Sequence, residues 1–398
     1  MRLNPGMILN HLDNLVHDWG WWNRAYTRLL IRSRGYQMVS MLKTLPSVET
    51  ASELTRQNHG AILRLEPRPS LHNLQPPRVA LGEHAPYVVS YYQREFAPRE
   101  DRPFVAYFRN PVLYGRQFSI LDSRRMAFEE CFTRDRRWRE GVPKRQKQPA
   151  PKKVPGVYLL AGAEFHNHYA HLFCDVLPRW KLFEEAGLAG QFPALLPPRS
   201  HPFAEEAWQK MGLAGDSSRR WDDTCWQLDG LYFASSFKKF CSWTLESAAW
   251  IRAKFAPELM HRPVGKKIFY ISRSGGPRAI TNEDEILRCL KSYDVTVVQT
   301  EKLTLQQQID LFSEARMIVG PHGAGIQNAL WAPHGCRVLE LVNVRYFSGI
   351  YWTLAESLDQ PYGLVTGISA AGKNPLQEGY ACNPQLIQQA MDQLAESN

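Results

Sequence analysis

The stretch that most limits what this chain can fold into runs from Lys266 to Val342, where short apolar runs alternate with amphipathic ones. It opens on KKIFYIS, whose β-branched and aromatic residues suit a buried strand. A polar, glycine-containing loop follows, Arg273 to Ile280. Thr281 is placed to cap a helix, with Asp284 as a weak capping box and Ile286, Leu287 and Leu290 on the apolar face. Val295 to Thr300 (VTVVQT) reads as a second strand. Thr304 then caps a helix carrying Leu305, Ile309 and Leu311–Phe312. Arg316 to Gly320 is a third strand, running into Pro321-His322-Gly323-Ala324-Gly325 and the helical patch Ile326 to Trp331. Arg337 to Val342 is a fourth. Strands alternating with short helices imply right-handed crossovers and a parallel sheet, and thus an α/β fold. Such sheets bind ligands beyond the carboxyl ends of their strands.

The loop Gly320 to Gly325 therefore sits where a ligand is expected. Its glycines let backbone amides approach closely, and the next helix presents a positive N-terminal end. That suits a phosphate or diphosphate. His322 and Asn328 can add side-chain hydrogen bonds. Arg273 and Arg278 lie at the same sheet edge, and a guanidinium grips phosphate as a planar fork. Glu340, near the end of the fourth strand, is placed to accept from a ribose.

A second constellation follows the strand-like Val154 to Ala161. If a helix begins near Asn167, then His168, His171, Asp175 and Arg179 recur at three- and four-residue steps and share a face. A polar face on a helix otherwise carrying Leu, Phe and Val suits the wall of a cleft. Transfer of a group to a hydroxyl needs a base for the hydroxyl proton, and Asp175 or His171 can serve, one orienting the other. Arg179 and His168 are placed to contact phosphate or acceptor. The same residues also suit a metal site, although their spacing matches no common zinc motif.

These two elements together resemble glycosyltransferase family 61, which includes bacterial capsule enzymes and eukaryotic xylosyl- and N-acetylglucosaminyltransferases. The resemblance rests on Ile271-Ser272-Arg273 with Arg278, Asn282 and Glu283, and on Gly320 to Gly325 with Asn328, Pro333, Gly335 and Glu340. It extends to the family's His-Trp-x-x-Asp-x-x-Pro-Arg element, here His171 to Arg179, with Leu172 at the Trp position and His168 where Asn is common. It implies a GT-B-like fold, two Rossmann-type domains with a cleft between them, and a metal-independent, inverting transfer. The donor would be a UDP-, GDP- or CMP-sugar with no further cofactor. The acceptor would be a glycan or glycolipid of capsule or surface-polysaccharide synthesis.

The chain of 398 residues is long enough for two such domains. Pro257 to Gly265 is the best linker. The expected division is an acceptor-side domain over 1–260, a sugar-nucleotide domain over 261–370, and a terminal helix within 371–398 packing back on the first domain. Formal net charge is +9, and nine basic residues fall between Arg134 and Lys153, against only Asp135 and Glu140. That pattern marks a basic insertion over about 134–153. A membrane surface, an acidic glycan or nucleic acid would suit it, as would plain solvent. Trp19, Trp21 and Trp22, followed by Arg24, Arg28 and Arg32, suggest an amphipathic segment able to touch a membrane interface. Seven scattered cysteines with no Cys-x-x-Cys argue against a disulfide framework. No secretory signal and no spanning run is seen, so the expectation is a cytoplasmic enzyme, peripheral at the inner face of the membrane. The competing readings are a metal-dependent hydrolase using His168, His171 and Asp175, and a basic nucleic-acid-binding protein.

Overall fold

The computed structural model describes residues 37–39, 41–54, 56, 60–69, 74–97, 100–115, 118–121, 126–128, 149–199, 201–236, 241–369 and 374–396. The tryptophan-rich segment before residue 37, and Arg134 to Lys147 of the basic insertion, lie outside them. Lys152 and Lys153, expected in that insertion, instead begin a strand.

Two sheets carry the fold. In the first, four strands run parallel in the order Trp226–Ala234, Lys152–Leu160, Ala194–Leu196, Ser218–Arg220. The chain starts at Lys152–Leu160 and steps outward twice through the helices Pro178–Glu185 and Pro202–Lys210. It then returns to the starting strand's other side. Strand order reverses there, and an open α/β sheet leaves a crevice at that point. Phe104–Arg109 and Val112–Tyr114 pair antiparallel with Trp226–Ala234, and short strands beyond these two bring the sheet to eleven strands among the described residues. The first sheet is therefore mixed, not purely Rossmann-type as the resemblance implies.

The second sheet has six parallel strands, ordered Val295–Val298, Lys267–Ile271, Ala315–Pro321, Arg337–Asn343, Tyr362–Gly367, Val79–Leu81. Its first five follow the doubly wound order 2-1-3-4-5, whose reversal falls between the first and third strands. These are Lys267–Ile271 and Ala315–Pro321. Thr304 forms the expected cap: its hydroxyl accepts from Gln307 N–H, while the Gln307 side chain accepts from Thr304 N–H. Thr281 does not cap; the next helix spans Glu283–Cys289, with Asn282 at the N-cap position.

Two expectations about the domains need correction. The sixth strand of the second sheet, Val79–Leu81, comes from within 1–260, so the boundary near 260 describes chain order and not packing. The terminal helix Pro384–Glu396 does not cross to the first sheet. Ile387, Ala390, Met391 and Leu394 join Ile268, Tyr270, Met317 and Leu339 in one buried cluster on the second sheet. The reason is that a parallel sheet must be covered on both faces. The other face is taken by a cluster that runs on through Phe173, Phe255 and Trp331 into the first half. Burying each large side chain of the terminal helix is worth about 1.5–3 kcal/mol, which a solvent-exposed sheet face would forfeit.

Candidate functional site

The segment after Lys152–Leu160 turns at Phe165, whose φ is 65°, and becomes helical at Tyr169. Pro178 has no N–H to give to the carbonyl four residues back. The preceding turn, Leu172–Val176, widens to a π-turn closed by Leu177 N–H to Leu172 O at 2.9 Å. The widened turn carries Asp175. Its Oδ2 lies 2.8 Å from His171 Nδ1, and its Oδ1 accepts from Cys241 N–H at 3.0 Å. A carboxylate only accepts, so Nδ1 carries the imidazole proton and Nε2 keeps the lone pair. Cys241 follows the strand Trp226–Ala234, on the other side of the strand-order reversal, and holds φ at 56°. Its Sγ is 3.8 Å from His171 Nδ1. Arg179 donates from Nε to Asp175 O at 3.2 Å and from Nη2 to Ser236 Oγ at 3.5 Å.

At the second sheet, Arg273 follows Lys267–Ile271 and lies against Gly323, which follows Ala315–Pro321. A Cβ at Gly323 would stand 1.6 Å from Arg273 Nη1. Cβ atoms at Gly320 and Gly325 would meet Ile271 at 2.9 and 2.7 Å. These glycines are thus required for packing at the reversal as well as for backbone approach. The helix beyond them, Ala324–Trp331, is a 3-10 helix, whose first N–H groups have no partner within it.

Arg273 Nε donates to Pro277 O at 3.2 Å, and burial and then Arg278 hold its guanidinium below its ordinary pKa. Arg278, with φ 61°, stacks over Tyr346 at 5.0 Å and leaves its buried Nε without a partner. Among the described residues neither arginine forms an ion pair with a carboxylate, although the two repel each other. Two partly buried guanidinium groups thus stand together at a strand-order reversal, an arrangement suited to an anion.

The two constellations meet. His168 reaches solvent, yet it is crowded enough that its pKa falls from 6.5 to about 4. Desolvation is the largest cause, followed by His171, Arg278 and Arg273. An imidazole of the first sheet therefore sits in the field of both arginines of the second. The halves are also tied below this level. Tyr169 OH donates to Asn328 Oδ1 at 2.9 Å and accepts from Trp331 Nε1 at 2.9 Å. Asn328 Nδ2 in turn donates to Gln308 Oε1 and Gly325 O.

Several predicted residues stand away from the ligand position. Asn328 is fully buried and spends its amide on Tyr169, Gln308 and Gly325 O. Asn282 pairs with the backbone of Cys382. Glu340 is fully buried, and its carboxylate accepts from His322 Nδ1 and from Tyr362 OH, so the ribose contact expected of it is taken by the protein. His322 remains at the crevice base, its ring 5.6 Å from that of Tyr346. Cys241, Tyr169 and Tyr346 were missed by sequence reasoning. Tyr346 alone carried a signal, since it follows the carboxyl end of Arg337–Asn343.

Fold and site define an α/β protein with two arginines at one strand-order reversal and a His–Asp pair at another. Residues 169–339, somewhat less than half of the chain, match the family profile described as Glycosyltransferase 61. The chain is also 31% identical over 125 residues to an EGF domain-specific O-linked N-acetylglucosamine transferase of Drosophila melanogaster. The match covers 29% of this chain and 23% of that relative, so the chain spans about a quarter of the relative's length. Among the described residues no helix is long and apolar enough to cross a membrane. No disulfide joins the six cysteines among them.

Proposed function

We propose that the chain is an inverting, metal-independent glycosyltransferase working in a GT-B-like cleft. It moves a sugar from a UDP-, GDP- or CMP-sugar to a glycan or glycolipid of capsule or surface-polysaccharide synthesis. The observation that carries this reading is the pair Arg273 and Arg278, which form no close ion pair with a carboxylate among the described residues and whose charge reaches His168 of the His168–His171–Asp175 cluster. The leaving diphosphate sits against the guanidinium groups and the amides at Gly323, Ala324 and Gly325. Their positive charge does the work of a divalent cation at the leaving group. His171 Nε2 takes the acceptor proton, and Asp175 holds the ring in the required tautomer and stabilises the imidazolium that forms. Arg179, bonded to the Asp175 carbonyl and to Ser236, steadies the turn.

The Drosophila relative is named for transfer of N-acetylglucosamine, so a nucleotide-activated N-acetylglucosamine is the first donor to test. A panel of nucleotides and sugar nucleotides is screened by thermal shift, and the binder is then assayed for transfer. Asp175→Asn should keep the melting transition and donor binding while lowering turnover by up to about 10⁴-fold, the loss found when a triad carboxylate loses its tautomer control. A variant as active as the parent removes the His–Asp pair from the chemistry.

A further inference from the structure

His171, Asp175 and Cys241 each offer one ligand atom, and these atoms lie within 4.8 Å of one another. Imidazole nitrogen, carboxylate oxygen and thiolate sulfur are the donor set of zinc, not of magnesium or calcium. Tetrahedral zinc, with bonds of about 2.0–2.3 Å, places its ligand atoms about 3.3–3.6 Å apart. Cys241 Sγ already stands 3.8 Å from His171 Nδ1, close to that edge. His171 Nδ1 and Asp175 Oδ2, at 2.8 Å, are closer because a proton bridges them. Exchanging that proton for an ion needs them to part by about 0.6 Å. The frame is built to hold these positions. Asp175 Oδ1 is fixed by Cys241 N–H, and Cys241 is held in a left-handed conformation rare outside glycine. All three groups are half-buried or better, yet the cluster lies at the crevice, where a fourth ligand can be water.

We infer that His171, Asp175 and Cys241 form an inhibitory zinc site. Zinc takes the Nδ1 lone pair, the ring proton passes to Nε2, and the Cys241 thiol loses its proton to solvent. A ring protonated on Nε2 cannot accept the acceptor's proton. That inhibitory consequence rests on the base assignment proposed above; the binding itself does not.

The test uses the full chain after chelator treatment. Titration with Co²⁺ should give near-ultraviolet thiolate-to-cobalt absorption at one equivalent, and Zn²⁺ should displace it. Cys241→Ser should abolish that absorption and weaken Zn²⁺, measured against a chromophoric chelator, by roughly 10–100-fold or more, the range that loss of a metal site's supporting groups already costs. In the unmutated chain, Zn²⁺ should protect Cys241 from alkylation, read by peptide mass spectrometry, which keeps the test valid if the variant does not fold. Absorption that persists in Cys241→Ser, or alkylation of Cys241 unaffected by Zn²⁺, overturns the site. Zinc that binds as expected while transfer continues at the metal-free rate keeps the site and overturns its inhibitory role. Absent transfer with any donor would instead count against the proposed activity and leave the binding result standing.

Discussion

Tyr169→Phe removes one oxygen atom and should be felt in both halves of the molecule. The ring contacts survive, since Phe keeps the edge-on packing with Phe173 and Phe203 at 5.2 and 5.3 Å. The two hydrogen bonds of the hydroxyl are lost. Asn328 Oδ1 then lacks the donor it has now, and Trp331 Nε1 lacks its acceptor, with both residues fully buried. A buried polar group left unsatisfied costs about 1–3 kcal/mol, and part of that is recovered by relaxation, so the pair should cost about 2–4 kcal/mol. That is a large fraction of a typical folding free energy of about 5–15 kcal/mol. At about 2 °C per kcal/mol for a long chain, the melting temperature should fall by about 4–8 °C. The assay is urea or thermal unfolding of the parent and Tyr169→Phe, with Trp331→Phe and the double variant completing a cycle. Coupling of at least ~0.5 kcal/mol between the two substitutions is expected for residues in contact. A shift under 1 °C with zero coupling would show that this tie is not made in solution.

Two further substitutions probe the crevice itself. Gly323→Ala puts a methyl 1.6 Å from Arg273 Nη1 and must push that guanidinium aside. It should weaken nucleotide-diphosphate binding by about tenfold or more, the scale of one lost charge-assisted contact, while unfolding remains cooperative; unchanged affinity in a titration would separate Arg273 from the anion. His166 and His168 are both held near pKa 4, chiefly by desolvation, against an ordinary 6.5. Below pH 6.5 the unfolded chain therefore binds more protons than the folded one. Stability present above that pH is lost as it falls towards about 4. His168→Gln should flatten the slope of urea midpoint against pH across that window, and an unchanged slope would assign the whole dependence elsewhere.

The second half was legible because its signals are local. Thr304 with Gln307, the apolar run at Lys267–Ile271 and the glycines after Ala315–Pro321 announce themselves within a few residues. The strands Tyr362–Gly367 and Val79–Leu81 were not legible. The first is short and bounded by glycine, and the second owes its place to pairing with a strand far away in sequence. At the site, the spacing of His171 and Asp175 foretold their contact, because four residues make one helical turn even through the widened Leu172–Val176. Cys241 could not be foreseen, since only the return of Trp226–Ala234 beside Lys152–Leu160 brings it there. Asn328 and Glu340 were expected to meet the ligand. The sequence holds no sign that Tyr169 and Tyr362, from distant segments, already use them.

The unmatched arginines can be weighed as a cost to the fold. Arg273 is desolvated and stands in the field of Arg278, and both effects lower its pKa, so each disfavours the charged state it must keep. A fold under selection for stability alone would place a carboxylate between them, as it does at Arg220 and Glu205, 2.7 Å apart. Leaving them unpaired makes sense where an external anion completes the set, and linkage then returns the stability when the ligand arrives. At a hundred times its dissociation constant, a ligand restores about 2.7 kcal/mol. If the proposed function holds, charge adds to the backbone strain at Cys241 and Arg278, and a nucleotide diphosphate would relieve the charge part by stabilising the folded chain.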